Sequence, residues 1–150
     1  SASSADAPLD IVDEALALYR LNAFCRAFEV RGPADRTLVY LLLHIGDVLA
    51  FLRAKDARSA AEAQRAVASS ALATASVAVP GEAAFPLDAG MFPRPESAED
   101  AERLRTYLAA VRAEATARLI ARVYSDNGGP SFLWLPFGKR RFMNRSLVTV

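Results

Sequence analysis

The chain has 150 residues, one domain's worth and enough to bury a core without disulfides or metals. Apolar residues make up 53% and charged residues 23%, an ordinary globular balance, and a net charge of +1 gives no global field to draw in nucleic acid or a membrane. A single cysteine, Cys25, excludes an intramolecular disulfide and fits a reducing compartment. We read Cys25 as a small buried hydrophobe rather than a nucleophile.

Residues 1–9 are expected to form a loose arm with no signal peptide, since no basic segment leads into an apolar one. A first helix is predicted from near Asp10, whose side chain can accept orphan backbone N–H groups. Asp13 and Glu14 then sit in its first turn, where the helix dipole favours negative charge. Ile11, Ala15, Leu18 and Cys25 form one apolar stripe; Val12, Leu16, Tyr19 and Ala23 form a neighbouring one, so the helix should pack against two others. Gly32-Pro33 stops it.

A second helix is predicted over 34–54, apolar on nearly every side and therefore central. Its longest apolar run, Leu38 to Leu52, is interrupted by His44, Gly46 and Asp47 and is shorter than the ~18 residues of a membrane span. It reads as a core helix, and the protein as soluble. Gly46 costs a helix about 1 kcal/mol relative to Ala, which a close helix crossing would justify. The Ala-rich stretch 59–76 has little large apolar surface to bury and predicts a thin, partly exposed helix or a mobile one. Four prolines between 77 and 95 exclude regular helix there, while Phe85, Leu87, Met91 and Phe92 require that the segment pack down.

The last helix has the clearest pattern. Ser97 is the predicted N-cap with Asp100 three residues on. Ala101, Leu104, Leu108, Val111, Ala115, Leu119 and Val123 then recur at spacings of three and four, with Glu99–Arg103 and Glu114–Arg118 as i,i+4 pairs. Asp126-Asn-Gly-Gly-Pro130 ends the helix. The fold class is thus all-α: a single domain, 1–150, of about four helices with a packed Pro-rich loop and an extended C-terminal tail.

Catalytic chemistry is not legible. His44, the only histidine, is embedded among Leu41, Leu42, Leu43, Ile45 and Val48 and reads as a satisfied core or interface residue. One His and one Cys make no zinc site without carboxylates from elsewhere. There is no nucleophile elbow and no phosphate loop. The paired acids lie in helix first turns, where the dipole accounts for them. We expect no enzyme, no cofactor and no metal.

The tail, 131–150, holds four aromatics, four cations and no acid. Large apolar rings must be buried on the chain's own body or on another protein. The candidate partner-contact residues are Trp134, Phe137, Lys139, Arg140, Arg141, Phe142, Met143 and Arg145. The cation run reads as an anchored protein interface, with a solvated charge run and a nucleic-acid or anionic-lipid site as the alternatives.

Several blocks resemble a known family, subunit 3 (the 21-kDa class) of the actin-related protein 2/3 complex. They are Asp10 to Ala15 (Asp-Ile-Val-Asp-Glu-Ala), Ala34 to Tyr40 (Ala-Asp-Arg-Thr-Leu-Val-Tyr), Pro80-Gly-Glu with Phe85-Pro-Leu-Asp88, and Lys139 to Leu147 (Lys-Arg-Arg-Phe-Met-Asn-Arg-Ser-Leu). Tyr107-Leu108 and Arg118-Leu119 add to the likeness. The blocks fall in the family's order, and the Phe142 to Leu147 ending is the most specific. The family carries a longer segment before the first block, and a Trp pair where this chain has Leu133-Trp134. The resemblance implies a helical, non-enzymatic subunit of a seven-member cytoplasmic assembly that nucleates actin branches on a mother filament. It also implies contact with the actin-related subunits, chiefly the third. The competing expectation is an autonomous module whose basic-aromatic tail grips an acidic protein, lipid or nucleic acid. The first expectation predicts that the tail's apolar side chains are exposed in the lone chain.

Overall fold

The computed structural model describes residues 7–22, 32–74, 77–87, 90–125, 129–131, 134–139, 143 and 145–147. Helices α1 (Ala7–Asn22), α2 (Pro33–Lys55), α3 (Ala60–Ala68), α4 (Ala71–Thr74) and α5 (Ala98–Val123) are followed by a 3-10 turn at Leu135–Lys139. No strand occurs among the described residues, so the all-α expectation holds.

α2 is the axle. Every residue from Leu38 to Leu49 is buried, because α1, α3, α5 and the 3-10 turn all pack on it. It is long and apolar enough to cross a membrane by composition alone, contrary to the sequence reading. Most of that surface is covered by the chain's own elements, which is what a core helix requires. α1 presents Val12, Ala15, Leu16 and Tyr19, all fully buried. The small residue Gly46 admits Tyr19: a Cβ there would stand 3.1 Å from its hydroxyl oxygen. The predicted close crossing is therefore real.

α1 starts at Ala7, three residues before Asp10, with Pro8 in its first turn, where a missing N–H costs nothing. The Asp10 side chain, and residues 23–31 with Cys25, lie outside the described residues. The single Ala-rich helix expected over 59–76 is two short ones. Ser69 and Ser70 break it by turning their hydroxyls onto Arg65 and Val67 carbonyls, at 3.1 and 2.7 Å. Among the described side chains of α3 and α4 only Ala63, Val67 and Leu72 are buried, which agrees with a thin, partly exposed element, whereas the break is a departure from the single helix expected.

Ser97 caps α5, its hydroxyl accepting from the Asp100 N–H at 3.0 Å. Leu108, Val111, Ala115, Leu119 and Val123 are buried as patterned, and Ala101 and Leu104 are half-buried. The Glu99–Arg103 and Glu114–Arg118 pairs form, each at 2.7 Å. Arg118 also reaches Asp13 at 2.8 Å, joining α5 to α1. The Pro-rich loop packs down through Leu87 and Phe92, with Phe85 edge-on to Phe92 at 5.5 Å. Arg105 of α5 holds it, with Nη1 3.1 Å from the Glu82 carboxylate.

Candidate partner interface

The tail begins by closing the end of α5: the Ser131 N–H donates to the orphan Val123 carbonyl at 2.7 Å. It then turns through a 3-10 segment rather than running extended. Trp134 is 7% exposed and belongs to the core. This corrects the expectation of apolar tail side chains exposed in the lone chain, because α2 offers more apolar surface than α1 and α5 cover. Phe137, Met143 and Leu147 also pack against the core and are half-buried.

Two features fix this seam. A Cβ on Gly138 would lie 2.8 Å from the Leu49 carbonyl oxygen and 3.1 Å from the Ala50 nitrogen. The 3-10 turn thus presses backbone on backbone, and no side chain fits between. Further along, the buried Asp47 carboxylate accepts from the Ser146 hydroxyl at 2.7 Å and from the Leu147 N–H at 2.8 Å. A carboxylate inside an apolar helix is costly unless its lone pairs are filled, and the tail fills them.

One helical turn back, His44 performs the matching task toward α5. Its Nε2 lies 2.7 Å from Thr116 Oγ1 and 3.1 Å from the Arg112 carbonyl. The Thr116 hydroxyl itself donates to that carbonyl at 2.9 Å, so the proton between His44 and Thr116 sits on Nε2. Nδ1 then keeps a bare lone pair, and it has no partner. Burial first, and then the Arg112 charge, lower the His44 pKa to about 3. The ring is neutral and sealed, which is the core role the sequence suggested. Arg112, 6% exposed, donates to the Leu72 carbonyl at 2.9 Å and hydrogen-bonds Tyr40.

Of the predicted contact residues, Lys139 and Arg145 are exposed, Phe137 and Met143 are half-buried, and Trp134 is internal. Arg140, Arg141 and Phe142 lie outside the described residues. Lys139 and Arg145 therefore flank the docked segment and face outward from it.

Two clefts open beside these seams. The larger, about 370 Å³, lies between α3–α4 and α5, walled by Val67, Leu72, Ala109, Ala113 and Ile120 with His44 among its lining. Its polar side chains Arg112 and Thr116 are committed inward, which leaves Gln64 at its exposed edge. The smaller, about 240 Å³, lies between the start of α2, the Pro-rich loop and α5. Among the described residues no three His, Cys, Asp or Glu side chains gather as metal ligands.

Residues 1–147 match the family described as P21-Arc, the ARP2/3 complex ARPC3 (21 kDa) subunit. The chain belongs to this family. It is 43% identical to actin-related protein 2/3 complex subunit 3 of Schizosaccharomyces pombe, over 95% of this chain and 79% of that protein. It is 41% identical to the Arabidopsis thaliana protein of the same name, over 90% of this chain and 75% of the relative. The Saccharomyces cerevisiae counterpart is 40% identical, over 92% and 77%.

Sequence reasoning missed Asp47, Arg112, Ser146 and Leu147 as the polar ties that hold the tail and α5 to α2. A signal existed for two of them. Asp47 and Arg112 occupy apolar positions in otherwise regular helical patterns, and a charge there requires a partner from elsewhere in the chain.

Proposed function

We propose that the chain is a non-catalytic structural and regulatory subunit of the seven-subunit actin-related protein 2/3 complex. The observation that carries this reading is the family match across residues 1–147, joined to relatives that are all named as subunit 3 of that complex. Those names favour an assembly role over an autonomous module. In this reading the chain works in the cytoplasm, on the actin cytoskeleton. It contacts the actin-related subunits, chiefly the third, and helps hold the active arrangement on the mother filament.

Such a subunit acts by differential binding. Contacts available only in the active arrangement shift the population toward it, tenfold for about 1.4 kcal/mol. The tail residues Lys139, Arg140, Arg141, Phe142, Met143 and Arg145 supply the contact surface in this proposal. Lys139 and Arg145 support it, being exposed at the rim of an anchored segment. Trp134 and Phe137 serve it from behind by anchoring the segment to α2.

A tagged pull-down from native cytosol, with mass spectrometry of the co-eluting proteins, tests the reading. Two actin-related proteins and four further subunits in one peak are expected; a lone monomer would overturn it. Reversing Lys139 and Arg145 to Glu should slow association about tenfold at low salt and much less at high salt. A loss that does not change with salt would refute the electrostatic role of the tail.

A further inference from the structure

The smaller cleft joins two opposite chemistries. Its floor and walls are apolar: Tyr40, Phe85, Phe92, Leu104 and Leu108 line it. At its edge stands Arg36, half-buried near the start of α2. Among the described residues the Arg36 guanidinium has neither an ion pair nor a hydrogen-bond partner; only its backbone N–H is engaged, with Gly32. Glu82, an acid of the adjoining loop, is committed elsewhere. Its carboxylate accepts from Arg105 at 3.1 Å and from the Val79 N–H at 3.0 Å. Any body that covers the cleft strips water from Arg36, and an unpaired charge buried in that way is penalised heavily. The covering surface must therefore bring a carboxylate. At about 240 Å³ the space lies below the roughly 300–1,000 Å³ of small-molecule pockets. It takes one or two side chains and not a metabolite.

We propose that this cleft receives a segment of a neighbouring subunit in which a large apolar side chain stands beside an Asp or Glu. The ring-lined floor takes the apolar group and Arg36 takes the carboxylate, where its planar fork permits a two-point bond that a lysine cannot make. The inference rests on the assembly role proposed above and adds a second contact surface, on the α2–loop–α5 face.

The test is reconstitution with the other six subunits, measuring the affinity of this chain for the rest as salt is raised. R36E should weaken incorporation about tenfold or more and flatten its salt dependence; R36K should fall between R36E and the natural chain. R65E on α3, outside the cleft, serves as the control and should behave as the natural chain does. Thermal melting checks the fold of each variant, and R36Q, which removes only the charge, carries the test if R36E is unstable. Natural chain and R36E incorporating alike would overturn this proposal alone. Failure of the natural chain to incorporate at all would overturn the assembly reading and this one with it.

Discussion

α2 is covered on two sides by seams of different construction. Toward α5 the contact is a continuous helix face, patterned by Val111, Ala115, Leu119 and Ile120, with polar ties at His44 and from Arg112 to Tyr40. Toward the tail the contact centres on a five-residue 3-10 turn that brings Leu135 and Phe137 to the core, fixed by a backbone touch at Gly138 and a charged tie at Asp47. A regular helix supplies enough apolar surface to tolerate the loss of a polar contact. An irregular segment does not, so its position depends on a few specific groups. The tail should therefore fail abruptly under single substitutions that the α5 seam would absorb.

Five variants sharpen that contrast. Trp134 is the only tryptophan and sits in the tail, so its emission reports docking directly. D47A should have the largest effect, removing two hydrogen bonds to a carboxylate at about 1.5–3 kcal/mol each before relaxation. We expect about 3 kcal/mol in urea denaturation and a red-shifted Trp134 emission; an unshifted emission would show that the tail docks without Asp47. G138A comes next, at about 1–3 kcal/mol, because the Leu49 carbonyl is backbone and has nowhere to retreat. G46A should cost less than G138A. Its Cβ meets only the tip of Tyr19, and the helix gains about 1 kcal/mol in propensity.

His44 supplies a test in pH. Its folded pKa lies near 3, below its usual 6.5. The unfolded chain thus takes up a proton that the native chain refuses. The stability tied to this group is complete above pH 6.5 and drains as pH falls toward 3, by about 1.4 kcal/mol per unit. H44L should flatten the slope of unfolding free energy between pH 6.5 and 5.5 and leave Trp134 emission unchanged. Slopes that coincide in the two proteins would show that His44 takes up its proton over the same pH range in the native and the unfolded chain. R105A should have the smallest effect, loosening the loop around Glu82 and speeding amide exchange at Val79 while the melting temperature barely moves. Unchanged exchange at Val79 would mean that other contacts hold the loop.

Regular elements were legible because their signals are local. Ser97 and the run from Leu104 to Val123 announce α5 by spacing alone, and the apolarity of Leu38–Leu49 on nearly every side announces an enclosed α2. The tail was legible in composition but not in path. Its rings required burial, yet nothing local distinguishes burial on α2 from burial on a partner, and Trp134 took the nearer surface. Ser146 and Leu147 gave no sign of their task, since their partner Asp47 lies 99 and 100 residues away. Gly138 carries no local sign of its role, which appears only when the Leu49 backbone is set against it. Charge makes Lys139 and Arg145 candidate contact residues, and the fold leaves both exposed.

The distance from Asp47 to Leu147 also has a consequence in time. α2 leaves the ribosome with its apolar surface complete, but the segment that covers one side of it is made 100 residues later. At about 5–20 residues per second, that side of the helix waits roughly 5–20 s for its own cover. During synthesis the naked helix is sticky and needs shelter, so the yield of this chain in a cell-free system should depend steeply on added chaperones and on the speed of translation past residue 50.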